Sequence, residues 1–168
     1  MHLNILGFHA LTGCDTTSAF SGISKKTCWK KYVTCPDLLS DVGRNRQSDK
    51  AEKFVCLLYG IHEDSVDDAR YSLFVKAKKT LEMLPPTTDA LELHIARANY
   101  QAGIWIRADV AIMDTEVRPV DTNAWQDGTD GLEVVWKRVP TVPDACIELT
   151  SCGCKTKCKS AVNALKHY

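Results

Sequence analysis

A mainly α fold is what this sequence predicts: a small helical body of five or six helices, then an irregular C-terminal region with room for one β-hairpin. Three observations predict it. Apolar residues recur at helical spacing as far as residue 106, and helix-stopping residues (Gly13, Gly60, Pro85-Pro86) fall between the periodic stretches. Beyond residue 107 the texture changes to short β-branched pieces, VAIM and EVVWKRV, separated by turn signals at Asp127-Gly128 and Asp130-Gly131.

Residues 3–12, LNILGFHALT, read as a short buried helix running into Gly13. In KKTCWKKYV, Cys28, Trp29 and Tyr32 fall on one helical face and the lysines on the other, so a short amphipathic helix is expected from Lys25 to about Val33, with Ser24 as N-cap. Cys35-Pro36 ends it, because the residue before proline avoids the α region. A further short helix is expected over 37–42, then the polar break GRNRQSDK. Residues 50–59 and 64–81 read as two more helices divided by Gly60. Thr87-Thr88-Asp89 opens the longest one, through about Ile106, with Leu91, Ile95, Ala98, Ala102 and Trp105 as its core stripe. The organisation expected is a helical domain over 1–107, a segment over 108–150 that wraps it through Trp125 and Trp136, and a Cys-rich basic tail over 151–168.

Formal net charge is zero, so no whole-molecule field draws a polyanion and any basic surface is local. Residues 21–35 and 152–168 each carry four lysines and no acid, whereas 109–133 carries seven acids against Arg118 alone. No apolar run reaches the ~20 residues of a membrane helix, so no membrane partner is expected. The start has no cationic leader pattern, and the reading is intracellular, with the nucleus as the compartment that DNA binding implies. Of the eight cysteines, Cys14, Cys28, Cys35 and Cys56 read as small buried hydrophobes, while Cys146, Cys152, Cys154 and Cys158 cluster near the end.

The chemistry concentrates in GCDTTSAFSGISKKTCWK, residues 13–30. A turn made of Gly22, Ile23 and Ser24 leads into a helix bearing Lys25, Lys26, Lys30 and Lys31, offering free backbone N–H groups, a positive dipole end and point charges to a phosphate. The other reading of this face is a solvated helix surface. Gly-x-Asp, six residues, then Gly-Ile-small-x-Lys resembles the flap-endonuclease family of structure-specific 5′ nucleases, where a PIN-like catalytic domain meets its helix-hairpin-helix DNA clamp. The resemblance spans residues 3–32. It implies that Asp15 is one carboxylate of a Mg²⁺-type two-metal site and that Gly22, Ile23, Ser24 and Lys26 hold duplex backbone. Ser24 departs from the family's second glycine, so its φ must be one that any residue adopts. Fourteen residues precede Asp15 and none is acidic, so a metal there needs Asp37, Asp41 or carboxylates from outside this chain. Otherwise Asp15 serves a turn with Thr16 and Thr17.

Over nearly its whole length the sequence also resembles the C-terminal segment of animal transposon-derived proteins, with HALTGCDTTSAFSG, LPPTTDALELHIARANYQAGIW and SCGCKTKC as landmarks. The last, a C-x-C-x3-C run with Lys155 and Lys157 interleaved, resembles the first half of a tesmin-like CXC domain, which binds zinc and DNA. One zinc on Cys152, Cys154 and Cys158, with Cys146 or His167 as fourth ligand, is the expectation from that resemblance; a reduced, unligated tail is the alternative. The leading functional expectation is a DNA-binding remnant of a transposon-derived, nuclease-like protein, not active as this chain. A metal-dependent nuclease completed from outside, or a helical protein-interaction domain, are the alternatives.

Overall fold

Asn4 starts the fold and ties it together. Its Oδ1 accepts from the Gly7 amide at 3.0 Å, capping helix α1 (Ile5–Leu11), while its Nδ2 donates to the carbonyls of Leu39 and Val42, each at 2.8 Å. The computed structural model describes residues 4–44, 49–77, 79–109, 119–122 and 124–139. Among these lie α2 (Lys25–Tyr32), α3 (Asp49–Leu58), α4 (Val66–Val75), α5 (Thr88–Ile106), three short 3-10 turns and a hairpin of β1 (Trp125–Gly128) and β2 (Gly131–Val134). The mainly helical class with one antiparallel hairpin is therefore found as expected. The chain divides into two compact units, Met1–Arg138 and Val139–Tyr168, and the architecture below is that of the first.

Two expected helices are shorter than their periodicity suggested. The helix expected over 37–42 is a single 3-10 turn, Pro36–Leu39. Beyond Leu39 the chain continues as tight turns, with Val42 N–H returning to the Leu39 carbonyl at 3.3 Å, and Asn4 Nδ2 ties the Leu39 and Val42 carbonyls to the start of α1. The helix expected over 64–81 stops at Val75, where Lys79 N–H returns to the Leu73 carbonyl at 3.1 Å. Its core contact ends with Leu73, and a short helix without tertiary packing does not extend on propensity alone.

α5 is the central element. Thr87 Oγ1 caps it by accepting from the Ala90 amide, and Leu91, Ile95, Ala98 and Ala102 are buried with Trp105 packed at the margin, as the stripe predicted. Gly43 approaches it so closely that a Cβ there would lie 2.7 Å from Ala102 Cβ, and its φ of +87° already favours glycine. Tyr32, Leu39, Phe54 and Val55 are in the same core without solvent exposure, with Tyr32 between Phe8 of α1 and Phe54 of α3.

The hairpin pairs Trp125 with Val134 and Gly128 with Gly131 around a two-residue Thr129-Asp130 turn. It is strapped to α5. Trp125 meets Tyr100 edge-on at 5.4 Å, Arg97 donates to the Val135 carbonyl at 2.9 Å and stacks its guanidinium over Trp136, and Arg138 pairs with Asp89 and Glu92. No helix among the described residues is long and apolar enough to cross a membrane.

Candidate nucleic-acid interface

The segment after α1 is held by its threonines. Thr17 donates its hydroxyl proton to the Ala10 carbonyl at 2.6 Å, and Thr16 donates to Gln101 Oε1 of α5 at 2.7 Å. With the Thr17 proton committed, the Cys14 thiol is the donor in its 3.0 Å contact to Thr17 Oγ1. Asp15, expected to serve this turn or a metal, makes no contact within the turn. It is exposed and has no hydrogen-bond or ion-pair partner among the described residues. Asp37 is exposed, and Asp41 is paired to Lys50 at 2.7 Å, with hydrogen bonds from Lys50 and Ser40 holding its carboxyl below the usual range. Among the described residues no three His, Cys, Asp or Glu side chains form a metal-binding group.

Ile23 N–H bonds back to the Phe20 carbonyl at 3.2 Å, closing a turn whose third residue, Gly22, has φ +72°. A turn with positive φ at that position favours glycine, and since a Cβ there would meet nothing, conformation alone sets the choice. Ile23 packs against the core and anchors the turn. Ser24 adopts φ −72° and ψ 150°, an extended cap conformation, and its Oγ accepts from the Thr27 amide at 3.2 Å. The departure from glycine is thereby explained: this position is an N-cap.

α2 buries Cys28 and Tyr32. The Tyr32 ring stacks on Phe8 at 4.8 Å and meets Phe54 edge-on. Burial pushes the Cys28 thiol up, and burial together with the carboxylates of Glu52, Asp64 and Glu63 pushes Cys56 to about 11, so both are inert apolar fillers as expected. Cys14 and Cys35 depart from that expectation. Both are half-buried, and Cys35 donates to the Lys31 carbonyl at 3.2 Å, closing the last turn of α2.

The four lysines divide. Lys25 folds back onto α1, donating to the carbonyls of Gly13 and His9. His9 is in the last turn of α1, where helical acceptors lack partners, and Gly13 follows just beyond it, so Lys25 is a clasp between α2 and the end of α1. Burial lowers its pKa, against the opposing influence of the Cys14 and Cys28 thiols. Lys26, Lys30 and Lys31 are exposed, with no carboxylate partner among the described residues. Lys26 and Lys30 share one ridge at i, i+4. Lys30 and Lys31 sit in the last turn, where the dipole favours cations, but Lys26 sits in the first turn, where it does not.

Trp29 was expected on the buried face with Cys28 and Tyr32. Instead it lies at the edge of that face, 39% exposed, with Phe8 edge-on at 5.4 Å. The signal was present in the spacing: at 100° per residue, Trp29 falls between the buried stripe and the Lys26–Lys30 ridge. Lys155, Lys157, Cys146, Cys152, Cys154, Cys158 and His167 lie outside the described residues. No family model, curated protein or solved structure matches the chain.

Proposed function

We propose that the chain is a nucleic-acid-binding remnant of a transposon-derived, nuclease-like protein. It contacts DNA backbone through the Gly22-Ile23-Ser24 turn and the outer face of α2, with Lys26, Lys30 and Lys31 as its cations. The single observation that carries this reading is the state of those three side chains: exposed, unpaired with any described carboxylate, and on a segment that has no acid from residue 21 to 35. Lys25 contributes by holding the turn-helix against α1. Lys155 and Lys157 add a second basic patch, accompanied by one zinc on Cys152, Cys154, Cys158 and Cys146; thiol titration with and without a chelator tests that metal directly.

Phosphate contacts release counterions, so binding weakens steeply with salt. Anisotropy of a labelled oligonucleotide across a salt series should show a log–log slope that falls by roughly 0.7–0.9 for each phosphate-contacting lysine reversed among Lys26→Glu, Lys30→Glu and Lys31→Glu. No retention by the wild-type chain even near ~50 mM salt ends the proposal. Among the described residues no metal-binding group forms around Asp15, and a Mg²⁺ reading at Asp15 applies to a fuller protein that supplies further carboxylates. A helical interaction domain is favoured by one observation: Tyr71, Phe74 and Val75 on α4 are all exposed.

A further inference from the structure

We infer that the α2 surface takes unpaired nucleic acid, with Trp29 as the platform on which a base stacks while Lys26 and Lys30 hold the adjoining phosphates. The inference rests on the backbone-binding reading above and names its substrate class. A surface that only grips duplex backbone has no use for an exposed indole, because paired bases keep their faces inside the stack. An indole next to lysines finds a matching partner in a strand whose bases are free, since each base offers an apolar face beside its phosphate.

The geometry provides both parts. Trp29 lies three residues after Lys26 and one before Lys30 on an eight-residue helix. The ring is supported from within by Phe8 at 5.4 Å and Tyr32 at 5.7 Å, so its position is set before any ligand arrives. Lys26 and Lys30, about 6 Å apart at their Cβ atoms as i, i+4 neighbours, match the scale of successive phosphates along one strand. Apolar exposure continues at Val33, the C-cap of the same helix four residues beyond Trp29, and on α1 at Ile5, three residues before Phe8. The lysines, with no acid among residues 21–35, match a polyanion and disfavour an acid-free apolar partner.

The test uses the full chain and compares a labelled thymidine strand with a duplex of the same length. The single strand should bind more tightly. Trp29→Ala should weaken it by about tenfold and leave the duplex unchanged, and Trp29→Phe should recover most of the loss. Because Trp29 also packs on Phe8, a second measurement avoids substitution altogether. Photocrosslinking to a bromodeoxyuridine strand followed by trypsin should place the adduct on residues 27–30. Equal affinity for strand and duplex with no effect of Trp29→Ala, or adducts only elsewhere, overturns the stacking inference while leaving backbone binding intact. Binding of neither oligonucleotide removes both. Trp29-dependent binding to phosphatidylcholine–phosphatidylserine vesicles without strand binding overturns it in favour of a membrane surface.

Discussion

Helices α2 and α4 share a plan and differ in what they present outward. Each opens on a serine cap, Ser24 accepting from the Thr27 amide and Ser65 from the Asp67 amide, both at 3.2 Å. Each buries a narrow stripe: Cys28 and Tyr32 in α2; Val66, Ala69 and Leu73 in α4. Outside, α4 has Asp67 and Asp68 in its first turn, where the dipole favours acids, and Asp67 also accepts from the Thr88 hydroxyl at the start of α5. α2 has Lys25 and Lys26 there and no acid. The charges of α4 are thus accounted for by folding. Lys25 is accounted for by the carbonyls of His9 and Gly13, which leaves Lys26 as a cation at the unfavourable helix end with no partner among the described residues, and such a residue is where a ligand is the natural counterpart.

The largest expected effect probes the inner stripes. Tyr32→Ala should cost roughly 3–5 kcal/mol in urea unfolding, and Leu73→Ala, at the solvent margin of α4, about 2–3 kcal/mol. Equal costs would show that the two stripes are equally deep. Tyr32→Phe should be neutral or stabilise by up to ~1 kcal/mol, because the hydroxyl lies buried near the Asn4 backbone without a well-formed hydrogen bond.

Acid should separate the two regions next. His94 is buried and donates Nε2–H to the Leu11 carbonyl at 2.8 Å, at the end of α1 that Lys25 also clasps. Burial, assisted by Arg97, holds its pKa below the ordinary value of 6.5, against the Leu11 contact. The unfolded chain therefore takes up the proton first as pH falls. The stability contributed is complete above about pH 6.5 and is lost below it, at up to ~1.4 kcal/mol per pH unit, until the folded value is reached. Denaturation at stepped pH, with Gln in place of His94 as control, should show the slope disappear in the variant.

Smaller effects follow at the caps and the surface. Ser24→Ala and Ser65→Ala should each cost about 1 kcal/mol, since each serine oxygen accepts one otherwise unpaired helix amide at 3.2 Å, and thermal melts will show whether they do. Lys25→Ala should cost about 1 kcal/mol through its lost carbonyl contacts, whereas Lys26→Ala should raise stability by about 0.3 kcal/mol, relieving a cation at the wrong helix end, and weaken oligonucleotide binding. The least effect belongs to Phe74→Ser on the outer face of α4: within about 0.5 kcal/mol in stability, and no change in oligonucleotide anisotropy. A loss of binding there would place the nucleic-acid surface on the wrong helix.

Much of this was legible before the fold. Ser24 as the cap of α2, Thr87 before α5 and the Leu91–Ala102 stripe are all local patterns, decided by residues three or four positions apart. The tie from Asn4 to the Leu39 carbonyl was not, because the two are 35 residues apart. Cys14 and Cys35 were indistinguishable in sequence from Cys28 and Cys56, since burial depends on which elements pack over a thiol.

The lysine cluster shows the same division. From sequence alone came the helix, its cap, the Gly22-Ile23-Ser24 turn and the absence of any acid from residues 21 to 35, because hydrogen bonds within one turn and the charges of neighbouring side chains determine these. Only the tertiary structure decided that Lys25 is committed to carbonyls 12 and 16 residues earlier while Lys26 has no partner among the described residues, and that Trp29 stands at the rim. Helix formation is set by short-range contacts. Which side of a helix stays in water is set by the elements that pack against it.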